Sequence, residues 1–171
     1  SAGNFLNQNA VAEFRSFYLA AETDKRFKEQ NPFGLDENND GVSDFRDLNA
    51  KEAINIPATR VNDIETSVNN EVTPRVTQVI QYAQSLTAQS TPITPEVKDL
   101  AMLEAKATQQ VLNDLTAEQT RLRALSSQKA DEYYRLNDSN KMAIQAALDK
   151  ITAQAAFVRK LQLQMLEIAK Q

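Results

Sequence analysis

Apolar positions recur at three- and four-residue steps along most of this chain, with polar residues filling the gaps, and that is the period of a helix lying half in a core. Between 7 and 30, Ala10, Phe14, Phe17, Tyr18 and Ala21 continue a stripe begun at Leu6. Asn31-Pro32-Phe33-Gly34 stops it, because proline cannot continue a helix and glycine permits the turn. Phe45, Leu48 and Ile54 predict a short helix that ends near Pro57. From 58 to 88 a second long pattern follows through Val61, Ile64, Val68, Val72, Val76, Val79, Ala83 and Leu86. Its β-branched residues lower helix propensity, yet the period is helical. Pro74 predicts a kink or break there, with Thr73 as cap and Pro74 as first position of a new helix.

Ser90-Thr91-Pro92-Ile93-Thr94-Pro95 reads as a connector in which Thr94 caps the next helix and Pro95 opens it. Leu100, Leu103, Ala107, Val111, Leu115, Leu122, Leu125 and Tyr133 mark the expected inner face of that helix. Thr116 and Gln119 have the form of a capping box, which would interrupt it. Asn137-Asp138-Ser139-Asn140 predicts the next boundary, since short polar side chains favour caps over helix interiors. The last segment carries Ile144, Leu148, Ile151, Ala155, Val158, Leu161, Met165 and Ile168 in a coiled-coil-like rhythm. Other helices of the same chain are its expected cover, with a second chain as the alternative.

These elements predict an all-α protein, an elongated helical bundle of three to four long helices. The expected division is a first bundle helix over 1–30, a small appendage over 31–57 and the remaining bundle helices over 58–171, in a single domain overall. Composition supports the class: in 171 residues there are 3 Gly, 5 Pro and no Trp. With no cysteine, disulfide and thiolate chemistry are excluded. The absence of histidine removes the commonest general base and transition-metal ligand. No apolar run reaches the roughly 18 residues that span a bilayer. Nor is there a basic and then apolar leader, and Ser1 reads as the start of a processed or trimmed chain.

Charge then singles out one stretch. The chain carries 19 basic and 23 acidic residues, a net of −4. The twelve residues DENNDGVSDFRD, from Asp36 to Asp47, hold five acids and one Arg, so all the excess negative charge sits there. Elsewhere the signs are balanced and interleaved without a basic stripe, which argues against nucleic acid as a partner. Within the twelve, Asp36, Asn38, Asp40, Asp44 and Asp47 occupy positions 1, 3, 5, 9 and 12, with Gly41 at position 6. A Ca²⁺ ion takes six to eight oxygens, and a sharp turn at position 6 lets them converge. The spacing therefore predicts a calcium site. Asp36, Asn38, Asp40 and Asp47 would give side-chain oxygens, Val42 its backbone carbonyl, and Asp44 an oxygen directly or through water. The competing reading is a solvated acidic turn, to which Asn, Asp and Gly are well suited.

The twelve residues resemble the loops of thrombospondin type-3 repeats and the dockerin version of the EF-hand. The resemblance implies bound Ca²⁺ and an extracellular, periplasmic or cell-surface setting. Pro32 and Gly34 ahead of the loop, Asp47 in place of a longer Glu, and the single copy in this sequence suit a structural clamp better than a sensor. The layout of long helices, with an insert after the first and an Ala/Gln-rich last helix, also resembles the minor pilus-tip subunits of type IV secretion and conjugation systems.

Other chemistry is sparse. Glu13, Glu22, Glu65 and Glu104 are scattered, Ser126-Ser127 lacks a base, and no glycine-rich phosphate loop exists. Asn137-Asp138-Ser139 has the form of a glycosylation acceptor but reads as a helix boundary. Tyr133-Tyr134 and Arg159-Lys160 read as seam and surface residues. The expected function is accordingly non-enzymatic: an exported bundle with a structural Ca²⁺ site, acting in surface adhesion or assembly. Its partner would be a protein, either a receptor or further copies, with the last helix available for oligomerisation. The alternative is a soluble calcium-responsive signalling module that binds its partner through the last helix.

Overall fold

The computed structural model describes residues 44–127 and 136–171. The stripe expected over 7–30 and the break at 31–34 lie outside the described residues. The chain is an all-α helical bundle. Helix α1 (Asp44–Ser67) passes into one π-helical turn (Val68–Val72) and then α2 (Thr73–Ala88), and these three are together the first rod. Helix α3 (Pro95–Ala124) and helix α4 (Asp138–Lys170) follow. No strand occurs among the described residues.

Two compact units divide the chain. The first comprises Ser1–Ile56 with Arg123–Gln145, and the second Pro57–Leu122 with Ala146–Gln171. In the second unit, Val72, Val76, Val79 and Ala83 of the first rod form one core with Val97, Ala101 and Ala105 of α3 and with Leu161, Met165 and Ile168 of α4. Polar pairs set the directions. Arg60 meets Glu118 and Arg75 meets Glu104, so numbering rises on one helix as it falls on the other, and α3 runs antiparallel to the first rod. Lys150 Nζ donates to Asn62 Oδ1 at 2.7 Å and lies 3.9 Å from Glu65 Oε2. Gln162 Nε2 donates to Gln109 Oε1 at 3.0 Å and ties α4 to α3.

Helix boundaries follow local chemistry where the sequence signals are strong. Thr94 Oγ1 accepts the N–H of Val97 at 3.3 Å, the capping bond expected before Pro95. Asn137 Oδ1 accepts the N–H of Asn140 at 2.7 Å and opens α4. At the end of α2 the Thr91 N–H bonds the Leu86 carbonyl at 2.8 Å and the Ser90 N–H bonds that of Thr87 at 3.0 Å. That pair of bonds is a Schellman closure, and it forces Ser90 to φ 57°, a conformation glycine reaches at less cost.

Two expected helix boundaries fail. Pro57 does not end a helix; α1 runs through it. The Pro57 ring is buried on the same stripe as Ile54 and Val61, and that packing offsets the hydrogen bond proline cannot donate. Thr116 does not interrupt α3, because its Oγ1 donates back to the Leu112 carbonyl at 2.9 Å instead of capping a new helix. Helix α3 instead closes at Ala124, where the Ser126 and Ser127 N–H groups turn back to Arg123 and Ala124.

The break expected at Pro74 is reduced to one irregular turn, and Thr73 is not its cap: Thr73 is already helical and its Oγ1 has no hydrogen-bond partner among the described residues. The Thr73 N–H donates to the Val68 carbonyl, five residues back rather than four. One widened turn relieves the clash that the Pro74 ring would make with the preceding turn, and the rod continues.

The inner face of α3 also differs from the sequence reading. Leu100 and Leu103 are 41% and 61% exposed, whereas Ala101, Glu104, Ala105 and Thr108 are buried. Small side chains let the helix backbones approach at this end of α3, so the seam uses alanines there and turns Leu100 and Leu103 outward, while Leu115 and Leu122 are buried as expected. The last helix, by contrast, buries Ile144, Ile151, Ala155, Val158, Leu161, Met165 and Ile168 of the stripe its rhythm predicts; Leu148 is only half-buried, and the neighbouring Ala147 is buried instead.

Candidate functional site

Of the six expected calcium ligands, Asp36, Asn38, Asp40 and Val42 lie outside the described residues. Asp44 is the first residue of α1 and Asp47 lies one turn further on. The ninth to twelfth positions of DENNDGVSDFRD therefore form the opening turn of a helix. Acidic residues are favoured there by the helix dipole. Among the described residues, no group of three or more carboxylate, imidazole or thiol side chains could hold a metal ion. The fit of Ca²⁺ thus rests on the spacing of the motif and on where α1 begins.

The second unit holds two buried carboxylates. Glu104, which the sequence places among scattered acids, is 5% exposed and accepts the Arg75 Nε–H at both oxygens, 2.9 and 3.1 Å away. Glu118 is equally buried; its Oε1 accepts from Arg121 and lies 3.8 Å from Arg60 Nη1, while Oε2 has no protein partner. Burying a carboxylate without compensation is costly, so the arginines are what allow both acids inside. The signal for this was present: Arg60 and Arg75 are spaced almost as Glu104 and Glu118 are, in mirrored order.

A groove of about 1070 Å³ runs between α2 and the end of α4 in the same unit. Ile80, Ala83, Ile93, Ala156, Leu163 and Ile168 give it an apolar lining, and Arg159, Lys160 and Glu167 stand along it. Leu163 is 66% exposed. Periodicity alone assigns Leu163 to no core face, because it falls off the α4 stripe. The first unit offers a smaller recess of about 210 Å³, lined by Lys51, Ile54, Asn55, Asn137, Ser139, Asn140 and Ala143.

Glu65 of the scattered acids faces Lys150, and Ser126 and Ser127 lie in the turn after α3. Asn137 caps α4, while Glu13, Glu22, Tyr133 and Tyr134 are outside the described residues. No helix of the described residues is long and apolar enough to cross a membrane. No family model, curated protein or solved structure matches this chain, so its function is argued from its own residues.

Proposed function

We propose that this protein is a non-enzymatic helical bundle acting in adhesion or assembly at a cell surface, with the entry to α1 stiffened by one structural Ca²⁺. The observation that carries the reading is the start of α1 at Asp44, the ninth position of the twelve-residue motif. A calcium loop of this kind closes onto an exit helix, and its last ligand then sits within that helix. Asp36, Asn38, Asp40, Asp44 and Asp47 would supply side-chain oxygens and Val42 its carbonyl. The ion supplies positive charge to a loop that otherwise crowds five acids. Asp47 reaches less far than Glu, which suits the weaker affinities of extracellular modules, and hence a compartment rich in calcium.

Calorimetric titration of Ca²⁺ into chelator-treated protein tests the site. One ion per chain is expected, lost in Asp40→Asn, and an absence of saturable heat at millimolar Ca²⁺ contradicts it. Fractionation of the producing cells tests the setting. Recovery with surface structures such as pili supports assembly, and confinement to the cytosol contradicts it.

A further inference from the structure

We propose that the α2–α4 groove is the contact surface of a two-fold symmetric homodimer in which the α4 helices of two copies pack antiparallel across Leu163. This goes beyond the calcium-site reading and does not depend on it. The groove is apolar along its floor through Ile80, Ala83 and Ile168, yet Leu163 stands 66% exposed beside it. An apolar side chain next to an open apolar groove is self-complementary if a second copy is inverted against the first.

The charges select the orientation. In an isologous contact every residue pairing occurs twice. A two-fold axis through Leu163 sets Arg159 of one copy opposite Glu167 of the other, and the reciprocal pair forms by symmetry. The parallel alternative stacks Arg159 on Arg159 and Glu167 on Glu167, and like charges in register oppose it. Within one chain Glu167 meets only the exposed Lys170, at 3.7 Å. Exposed pairs of that kind contribute about 0–1 kcal/mol, so Glu167 is free to exchange partners. Arg159 and Lys160 carry no ion pair within the described residues.

The chain contains no cysteine, which makes the axis directly testable. Leu163→Cys is expected to form an inter-chain disulfide on mild oxidation, since residues on the axis face their own copies. Leu103→Cys, equally exposed on α3, is expected not to. Sedimentation equilibrium adds the charge test. Arg159→Glu and Glu167→Arg should each weaken the dimer, and the double substitution should restore it. Leu163→Asp should raise the dissociation constant about 30-fold or more, the size of a central interface anchor. A chain that stays monomeric up to millimolar concentration overturns the proposal. So does a dimer that cross-links through Leu103→Cys but not Leu163→Cys, or a charge swap that fails to rescue. Circular dichroism of each variant separates loss of association from loss of fold.

Discussion

Arg75 Nε lies 2.9 and 3.1 Å from the two carboxylate oxygens of Glu104, and this single donor holds a buried acid at the seam between α2 and α3. Glu104 is buried while the Arg75 side chain is about half exposed, so water screens one side of the pair. The pair sits four turns along α3 from Glu118, which Arg60 and Arg121 cover in the same manner. Two such rungs, with Arg on the first rod and Glu on α3, fix the antiparallel register of those helices. A slip along the axis would leave Glu104 buried and uncompensated, and would take Arg60 from Glu118, which would keep only Arg121 of its own helix.

That relationship makes a stability prediction. Arg75→Met should destabilise the chain by about 2 kcal/mol, in the range of a lost hydrogen bond to a charged group. Glu104→Leu on that background should recover most of the loss, because the orphaned charge is gone. Urea unfolding of both singles and the double gives the coupling, and strictly additive effects would remove the rung from the account.

The outward turn of Leu103, on the helix that buries Leu115, makes a second one. Leu115 is 1% exposed and Leu103 is 61% exposed. Leu115→Ala should cost about 2–5 kcal/mol, as buried leucine truncations do. Leu103→Ala should stay within about 0.5 kcal/mol, as surface changes do. Comparable costs at both positions would restore the α3 face that periodicity suggests.

A third concerns Ser90, held at φ 57° by the Schellman closure of α2. Ser90→Gly should stabilise by about 0.5–1 kcal/mol, since glycine adopts this conformation without a Cβ clash. A loss of stability on that substitution would mean that the Ser90 side chain contributes more than its backbone strain costs.

Much of this fold is legible from the amino acids, and the gaps have physical causes. Thr94-Pro95 and Asn137 announce helix starts because capping is local chemistry, decided within three residues. The α4 stripe is legible because one buried face repeats along the whole helix, with only Leu148 giving way to Ala147. Pro57 misleads because its ring falls on the buried stripe of Ile54 and Val61, which a local helix-breaking rule does not weigh. Leu100 and Leu103 mislead because hydrophobicity favours large side chains, whereas a close seam selects Ala101, Ala105 and Thr108. Leu163 is illegible from periodicity, since its surroundings depend on α2 standing beside α4. The calcium motif is legible as spacing. The structure adds the start of α1 at Asp44, and the first four expected ligands lie outside what it describes.

The proposed Ca²⁺ site at Asp36–Asp47 would stabilise the chain by binding its native state alone. Its most direct measurement is thermal unfolding with saturating Ca²⁺ and with EGTA. With free ion at about 100 times the dissociation constant, mass action contributes about 2.7 kcal/mol. For a chain of this size that corresponds to a midpoint higher by roughly 5–10 °C in Ca²⁺. That shift is expected in the native protein, and its loss in Asp36→Asn/Asp40→Asn. Identical midpoints in Ca²⁺ and EGTA would contradict it.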